Sequence, residues 1–507
     1  MKGQYLLAID QGTSSSRSVI YDHGASVVSS AQQEFPQIYP QPGWVEHDPE
    51  AIWNSVQNVV RDSMQQAGAT AGDVTAIGIT NQRETTVVWD RETGQCIHNA
   101  IVWQDRRTAH TCDALKLEGN EARVVEKTGL KLDPYFSATK VAWILDHVDG
   151  ARDKADRGQL AFGTVDCFLL WRLTGGRVHA TDASNASRTM LFNIHTQDWD
   201  DELLRIFNVP RGLLPEVRDC AAEYGETDSA TLGGAVPVRG IAGDQQAALI
   251  GQAGFSHGMT KSTYGTGCFV VANTGRDALH SGNQLLTTVG MRLNGETTYA
   301  LEGSVFVAGS AIQWLRDELR IIDAAPETED IARATGIVDD VYVVPAFAGL
   351  GAPYWDPHAR GAVVGLTRGS GRESIVTATL QSIAYQTSDL IRAMSDDGIS
   401  PSVIRVDGGM VANGWFLQFL ADILDVRIER PENVESTVLG AAYLAAFQSG
   451  IIDAVDEIDT LWKCDAVFEP QMGGDQRDAL LTGWTDAVGR VRGASSLSKQ
   501  HPRSNHN

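Results

Sequence analysis

The sequence predicts an α/β fold of two domains, each a mixed sheet flanked by helices, with the functional site in the interdomain cleft. Three observations lead there. At 507 residues the chain is too long for one ordinary core. Its opening runs strand, strand, strand, helix, strand, an order that suits a mixed sheet. And the pattern of its first hairpin returns near the middle of the chain, as a duplicated architecture requires.

That first hairpin is YLLAIDQGTSSSRSVIY, residues 5 to 21. An apolar run, Leu6 to Ile9, ends at Asp10. A turn of Gly12 and small hydroxyl residues then leads into a second strand-like run, Ser18 to Tyr21. Small turn residues let backbone N–H groups approach an anion, and a nearby carboxylate suits a hard cation such as Mg²⁺. An ordinary hairpin with a polar turn accounts for this stretch equally well. Ala25 to Gln32 is the third strand. Asp48-Pro49 starts a helix, with Asp48 as N-cap and Ile52, Val56, Val59 and Val60 on one face. Val74 to Thr80 is the next strand. No GxGxxG follows the first strand and GxxxxGK[ST] is absent, which counts against a dinucleotide domain and a P-loop NTPase.

Polar and aromatic loops follow, with one clear helix, Thr139 to His147, whose Val141, Ile144 and Leu145 keep the helical period. Residues 260 to 273, TKSTYGTGCFVVAN, repeat the opening pattern of strand, Gly-containing turn and strand. Further strands are expected at Thr297 to Leu301 and Val341 to Val344, and a long helix from Glu373 to Met394. VIRVDGG (403 to 409) is a strand running into a Gly turn, and a helix starts at Asn413. One hairpin per half puts a nucleotide between domains spanning residues 1–250 and 251–493, with a polar, frayed tail at 494–507.

Composition narrows the function classes. A net charge of −23 argues against a nucleic-acid surface and against attraction to anionic lipid. The six cysteines show no CxxC pair or metal spacing, as expected of reduced thiols. No charged-then-apolar leader precedes the first strand and no apolar run approaches membrane-spanning length. A cytoplasmic protein that neither binds nucleic acid nor inserts into a membrane is expected.

Paired hairpins, an acid in the first and a later DGG turn resemble the actin-like ATPase fold. Within it, a series of segments is similar to the FGGY family of carbohydrate kinases, in particular to its glycerol-phosphorylating members. They are PGWVEHDP (42 to 49), GITNQRETTVVWD (78 to 90), VWQDRR (102 to 107), DPYFSATKVAWILDH (133 to 147) and NASRTMLFNIHT (185 to 196). GIAGDQQAAL (240 to 249), TYGTGCF (263 to 269), GLGAPYWDP (349 to 357) and RVDGG (405 to 409) continue the series, and GAVVGLTRGSGRESIVTATLQSIAYQ reads as the second family signature. The likeness runs to about residue 470, nearly the whole chain.

The resemblance implies transfer of the γ-phosphoryl group of MgATP to glycerol, giving sn-glycerol 3-phosphate and ADP. Arg83 and Glu84, in a turn between strands 77–81 and 85–89, would hold two hydroxyls; a bare Arg-Glu dipeptide is otherwise a surface ion pair. Trp103 and Phe269 would line the apolar side of the pocket and Tyr135 would offer its hydroxyl. Asp244 would be the general base and Gln245 a further polyol contact, although Asp244 also suits a cap for the following helix. Asp10 would hold Mg²⁺. Thr13, Ser14, Ser15, Arg17 and Thr266 would contact phosphates, and Gly309, Gln313, Gly409 and Asn413 the rest of the nucleotide. The family implies a homo-dimer or homo-tetramer. Two alternatives remain from the residues themselves: a sibling kinase acting on another polyol or ketose, and an ATP-binding scaffold that transfers nothing. One departure is clear. Some glycerol-phosphorylating relatives bind a sugar bisphosphate through a basic residue in a Gly-rich loop, and others are activated on a nearby His. Here ETDSATLGGAVPV (226 to 238) lies in a stretch with no Lys or Arg between Arg218 and Arg239, and no His between His195 and His257. Neither control is expected through this loop.

Overall fold

The computed structural model describes residues 3–347, 349–356 and 358–498, with side chains to residue 492. Strands β1 (Tyr5–Gln11) and β2 (Ser15–Asp22) form the antiparallel hairpin, closed by the Gly12 N–H on the Ser15 carbonyl at 2.9 Å. β3 (Val27–Glu34) lies slightly further along than expected, because Ala25 occupies the left-handed turn at φ 64°. Helix α1 (Pro49–Ala67) starts as predicted: the Asp48 carboxylate accepts the Glu50 N–H, and Gly68 ends it with a left-handed backbone. Its Ile52, Val56 and Val60 pack on Leu7, Ile9 and Ile20 of the sheet. β4 (Val74–Asn81) runs parallel to β1, α2 (Ser137–His147) lies in the long insertion, and β5 (Val238–Gly243) runs parallel to β4. The first sheet has the order β5-β4-β1-β2-β3. α3 (Asp244–Gly251) follows β5 without a linker.

The second half repeats the plan. β6 (Thr260–Tyr264) and β7 (Cys268–Gly275) are its hairpin, flanked by β8 (Leu286–Leu293) and β9 (Glu296–Val305). After α4 (Gly309–Asp317) and the long α5 (Arg372–Asp396) come β10 (Val403–Asp407), α6 (Gly414–Leu424), β11 (Arg427–Pro431), α7 (Ser436–Gln448), β12 (Cys464–Phe468) and α8 (Gly474–Ser498). The sheet order is β8-β9-β7-β6-β10-β11-β12, with β10 parallel to β6 as β4 is to β1. The strand expected near 341 exists, as Tyr342–Val344, but it pairs with Ala362–Val364 apart from this sheet. α8 carries Leu480, Trp484, Ala487, Val488 and Val491 inward at helical spacing, and so continues to Ser498. Helical backbone therefore replaces the expected frayed tail over 494–498; the remaining tail lies outside the described residues.

The halves share a core. Leu6, Ala8 and Ala76 of the first sheet meet Ala247 and Leu249 of α3, Val438 and Ala442 of α7, and Val271 and Ala300 of the second sheet. Among the described residues no helix is long and apolar enough to cross a membrane.

Candidate active site

The site begins where β4 ends. Arg83 and Glu84 do not lie in a hairpin turn: the strand after them, Val87–Asp90, leaves the sheet and pairs with Leu160–Gly163. Both side chains are buried, and Glu84 has φ 59°, a left-handed conformation that costs a non-glycine residue about 1–2 kcal/mol. Its carbonyl is held by Ser137 Oγ at 3.0 Å, from the first residue of α2, and by Thr86 Oγ1 at 3.1 Å. The DPYFSATKVAWILDH segment thus braces Glu84 through Ser137.

Neither side chain is a surface ion pair. Arg83 grips Glu302 of β9 with two N–H groups, Nη1 to Oε2 at 2.5 Å and Nη2 to Oε1 at 2.9 Å. Arg83 Nη1 also donates to Gln246 Oε1 at 3.2 Å, and its Nε lies 3.1 Å from Asp244 Oδ1. Arg188 donates from Nε to Glu84 Oε1 at 2.7 Å and from Nη2 to Glu302 Oε1 at 2.9 Å. Burial pushes the Glu302 carboxyl up, but Arg188 and Arg83 outweigh it and hold it at about 2. Burial raises the Glu84 carboxyl despite Arg188 and Arg83.

Asp244 stands at the first position of α3, where its Oδ1 also accepts the Gln245 N–H at 2.7 Å. Helix-end hydrogen bonding and an open carboxylate therefore coexist, since among the described residues Oδ2 has no partner and the side chain is 31% exposed. Gln245 Oε1 accepts from Lys261 of β6, a buried lysine that also donates to Thr263 Oγ1 at 2.8 Å. The aromatic residues converge too. Trp103 stacks edge-on against Tyr135 (5.6 Å) and against Phe269 from the other half (6.3 Å). Trp103 and Tyr135 open onto a cavity of about 540 Å³, lined on its far side by Phe306, Phe347 and Trp355.

Beside this pocket lies the first hairpin. Trp103 Nε1 donates to Thr13 Oγ1 at 2.9 Å, so one indole lines the pocket and steadies the turn. Ser14 is exposed with a free hydroxyl, whereas Ser15 Oγ accepts from Gln32. Arg17 bonds Gln32 and forms an ion pair with Glu435, just before α7, so its charge is already partnered across the cleft. Burial, joined by Asp244 and Glu435 and opposed by Arg17, pushes the Asp10 carboxyl up to about 7. Among the described residues no three metal-ligating side chains cluster. One hard carboxylate that a cation would keep ionised fits Mg²⁺, which takes one or two carboxylates and fills its octahedron with water and phosphate oxygens.

On the other side of the cleft a cavity of about 370 Å³ gathers Thr266, Gly309, Gln313, Gly409 and Asn413, every nucleotide residue expected from the second half. Two of them have structural duties as well. Asn413 caps α6, its Oδ1 accepting the Phe416 N–H at 2.9 Å. A Cβ on Gly309 would stand 2.5 Å from the Gly265 carbonyl oxygen, so the protein's own backbone requires glycine there; one on Gly409 would meet nothing within 4 Å.

Sequence reasoning missed Arg188, Glu302 and Lys261. Arg188 stood inside the quoted NASRTM segment without a role, and the other two sit in strands of mixed polarity, TKSTY and ETTYALEGSV, where nothing marks a buried charge.

A duplicated α/β fold with a cluster of buried charged side chains beside an aromatic-lined cavity, and a second cavity across the cleft, suits a small-molecule kinase. The chain belongs to the FGGY family of carbohydrate kinases: residues 5–251 match the family's N-terminal domain and residues 260–449 its C-terminal domain. It is 60% identical over 488 residues to glycerol kinase 1 of Pseudomonas aeruginosa, covering 96% of this chain and 99% of that one. It is equally similar, at 60% over 489 residues and 96% and 98% coverage, to the glycerol kinase of Rhodospirillum centenum. Among solved structures, Plasmodium falciparum glycerol kinase with ADP superposes with a TM-score of 0.90 at 37% identity, over 96% of this chain and 98% of that one. A gluconate kinase from Lactobacillus acidophilus, at 0.85 and 23% identity over 97% and 98%, shares the fold.

Proposed function

We propose that the protein is an ATP:glycerol 3-phosphotransferase. The observation that carries this reading, in a chain so similar to glycerol kinases, is the convergence of Arg83, Glu84 and Asp244 with the Trp103–Tyr135–Phe269 wall. Glu84 Oε2 accepts from one hydroxyl of glycerol and an Arg83 N–H not bonded to Glu302 or Gln246 donates to another; such charge-assisted bonds are the stronger kind. The aromatic rings cover the carbon chain, and Tyr135 and Gln245 complete the polar contacts. Asp244, its Oδ1 pinned by Arg83, turns Oδ2 to the reacting hydroxyl and takes its proton as the oxygen attacks Pγ. The bond from Pγ to the β,γ-bridging oxygen breaks, and ADP leaves. Thr13, Ser14, Ser15, Arg17 and Thr266 hold the phosphates; Gly309, Gln313, Gly409 and Asn413 surround the adenosine. Asp10 would hold Mg²⁺, which when bound offsets charge on the β- and γ-phosphates. Arg17 would leave Glu435 to reach a phosphate. Residues 1–250 form the polyol lobe and 251–493 the adenosine lobe, and closing them excludes water. The reading includes a cytoplasmic enzyme, supported by six cysteines that all remain free thiols, and a homo-dimer or homo-tetramer as in the family.

The test is ADP release measured with glycerol, dihydroxyacetone, xylulose and ribulose. Glycerol should give the highest kcat/KM. A ketose preference would transfer the reading to a sibling kinase, and hydrolysis indifferent to all four would leave only an ATPase.

A further inference from the structure

The residues expected to read the polyol are held partly from the other half of the chain, through Glu302. Arg83 has five N–H groups, and three are hydrogen-bonded: two on Nη1, to Glu302 and Gln246, and one on Nη2, to Glu302, while Nε forms an ion pair with Asp244 at 3.1 Å. Glu84 gives one oxygen to Arg188, and the other has no partner among the described residues. Arg188 and Glu302 are both fully buried, and Glu302 sits mid-strand on β9, opposite Val271 of β7, in the second sheet. Glu84, Arg188, Glu302 and Arg83 thus form a chain of two cations and two anions in alternation, running from one sheet to the other.

We infer that Glu302 and Arg188 are positioning residues for polyol recognition, which fix the Arg83 guanidinium and leave Glu84 with one acceptor aimed at the substrate. The inference rests on the kinase reading above. Long charged side chains lose rotamer freedom when fixed, and here the network fixes them before substrate arrives. Removing the Glu302 charge leaves Glu84 as the anion that both arginines share, while Asp244 stays beside Arg83 alone. Arg83 Nε already lies 3.8 Å from Glu84 Oε1, so Glu84 would close onto Arg83 and its free oxygen would be lost to the substrate. The effect therefore falls on glycerol binding, and the nucleotide cavity is spared.

The experiment is steady-state kinetics on the full chain for wild type, Glu302→Gln and Arg188→Lys, with both KM values and kcat measured separately and circular dichroism as the fold check. Each variant is expected to raise KM for glycerol at least tenfold while KM for ATP stays within twofold. Arg188→Lys keeps the charge with one bond fewer, and it decides the matter if Glu302→Gln fails to fold. Unchanged KM for glycerol, or parallel increases in both KM values, overturns the inference. Wild-type protein inert toward glycerol would instead count against the proposed function alone.

Discussion

On the face of the cleft proposed for the polyol Arg83 is held by Glu302, Gln246 and Asp244, while on the face proposed for the nucleotide the Gln313 amide and the Ser14 hydroxyl bond to nothing among the described residues. The polyol face is a set of buried charges that orient one another across two sheets. The nucleotide face is a cavity of backbone, small residues and exposed polar tips. The difference follows from what each must recognise. Glycerol is small and uncharged, so a few directional bonds must carry all the discrimination, and directional bonds need rigid partners. A nucleotide brings its own charge and area, and a surface that merely fits it suffices. Substitutions on the polyol face should therefore have large effects on rate or binding, and those on the nucleotide face small ones.

The largest effect is expected at Asp244. Asp244→Asn keeps an oxygen for Arg83 Nε but cannot take up the proton, so kcat should fall about 10²–10⁴-fold. ATP binding, measured by calorimetry, should stay within about twofold, because the nucleotide cavity does not include this residue. Turnover close to wild type would remove Asp244 as base and erase the sharpest contrast between the faces.

Acid should act next, through Glu302. Its folded value of about 2 lies below the ordinary 4.5, so the folded state holds fewer protons than the unfolded chain between those values. The sign is fixed by that: the contribution is present above about pH 4.5 and is lost as pH falls toward 2, at a few kcal/mol. Thermal unfolding of wild type should steepen its decline below pH 4.5, and Glu302→Gln should flatten that limb. Identical limbs would mean that the charge chain does not hold the two sheets together.

The same contrast explains what the sequence could disclose. Hairpins, Gly turns and amphipathic helices are local, and β1, β2, α1, β6 and α5 stand where alternation, caps and period put them. Arg83 and Glu84 were legible as a motif, but their partners were not. Glu302 is 219 residues from Arg83, and nothing in TTYALEGSVF marks one acid as facing an arginine. Arg188 and Lys261 were hidden for the same reason: pairing of buried charges is fixed by tertiary contact. Arg17 reads as a phosphate ligand in sequence, and its ion pair with Glu435 is equally hidden there. Gly309 and Gly409 looked alike in sequence, and only the fold separates them.

That pair gives the finest test of the nucleotide face. A methyl group on Gly309 collides with the Gly265 carbonyl at 2.5 Å, so Gly309→Ala must shift backbone and should destabilise by about 1–3 kcal/mol. A methyl group on Gly409 touches no protein atom within 4 Å, so Gly409→Ala should leave stability within about 0.5 kcal/mol. If adenosine lies against this backbone, the same methyl group meets the ligand, and KM for ATP should rise a few-fold with KM for glycerol unchanged. Melting curves and paired KM values for the two variants separate the roles. A Gly409→Ala enzyme with wild-type KM for ATP would place the nucleotide elsewhere in the cavity, and the open space beside Gly409 would then belong to solvent.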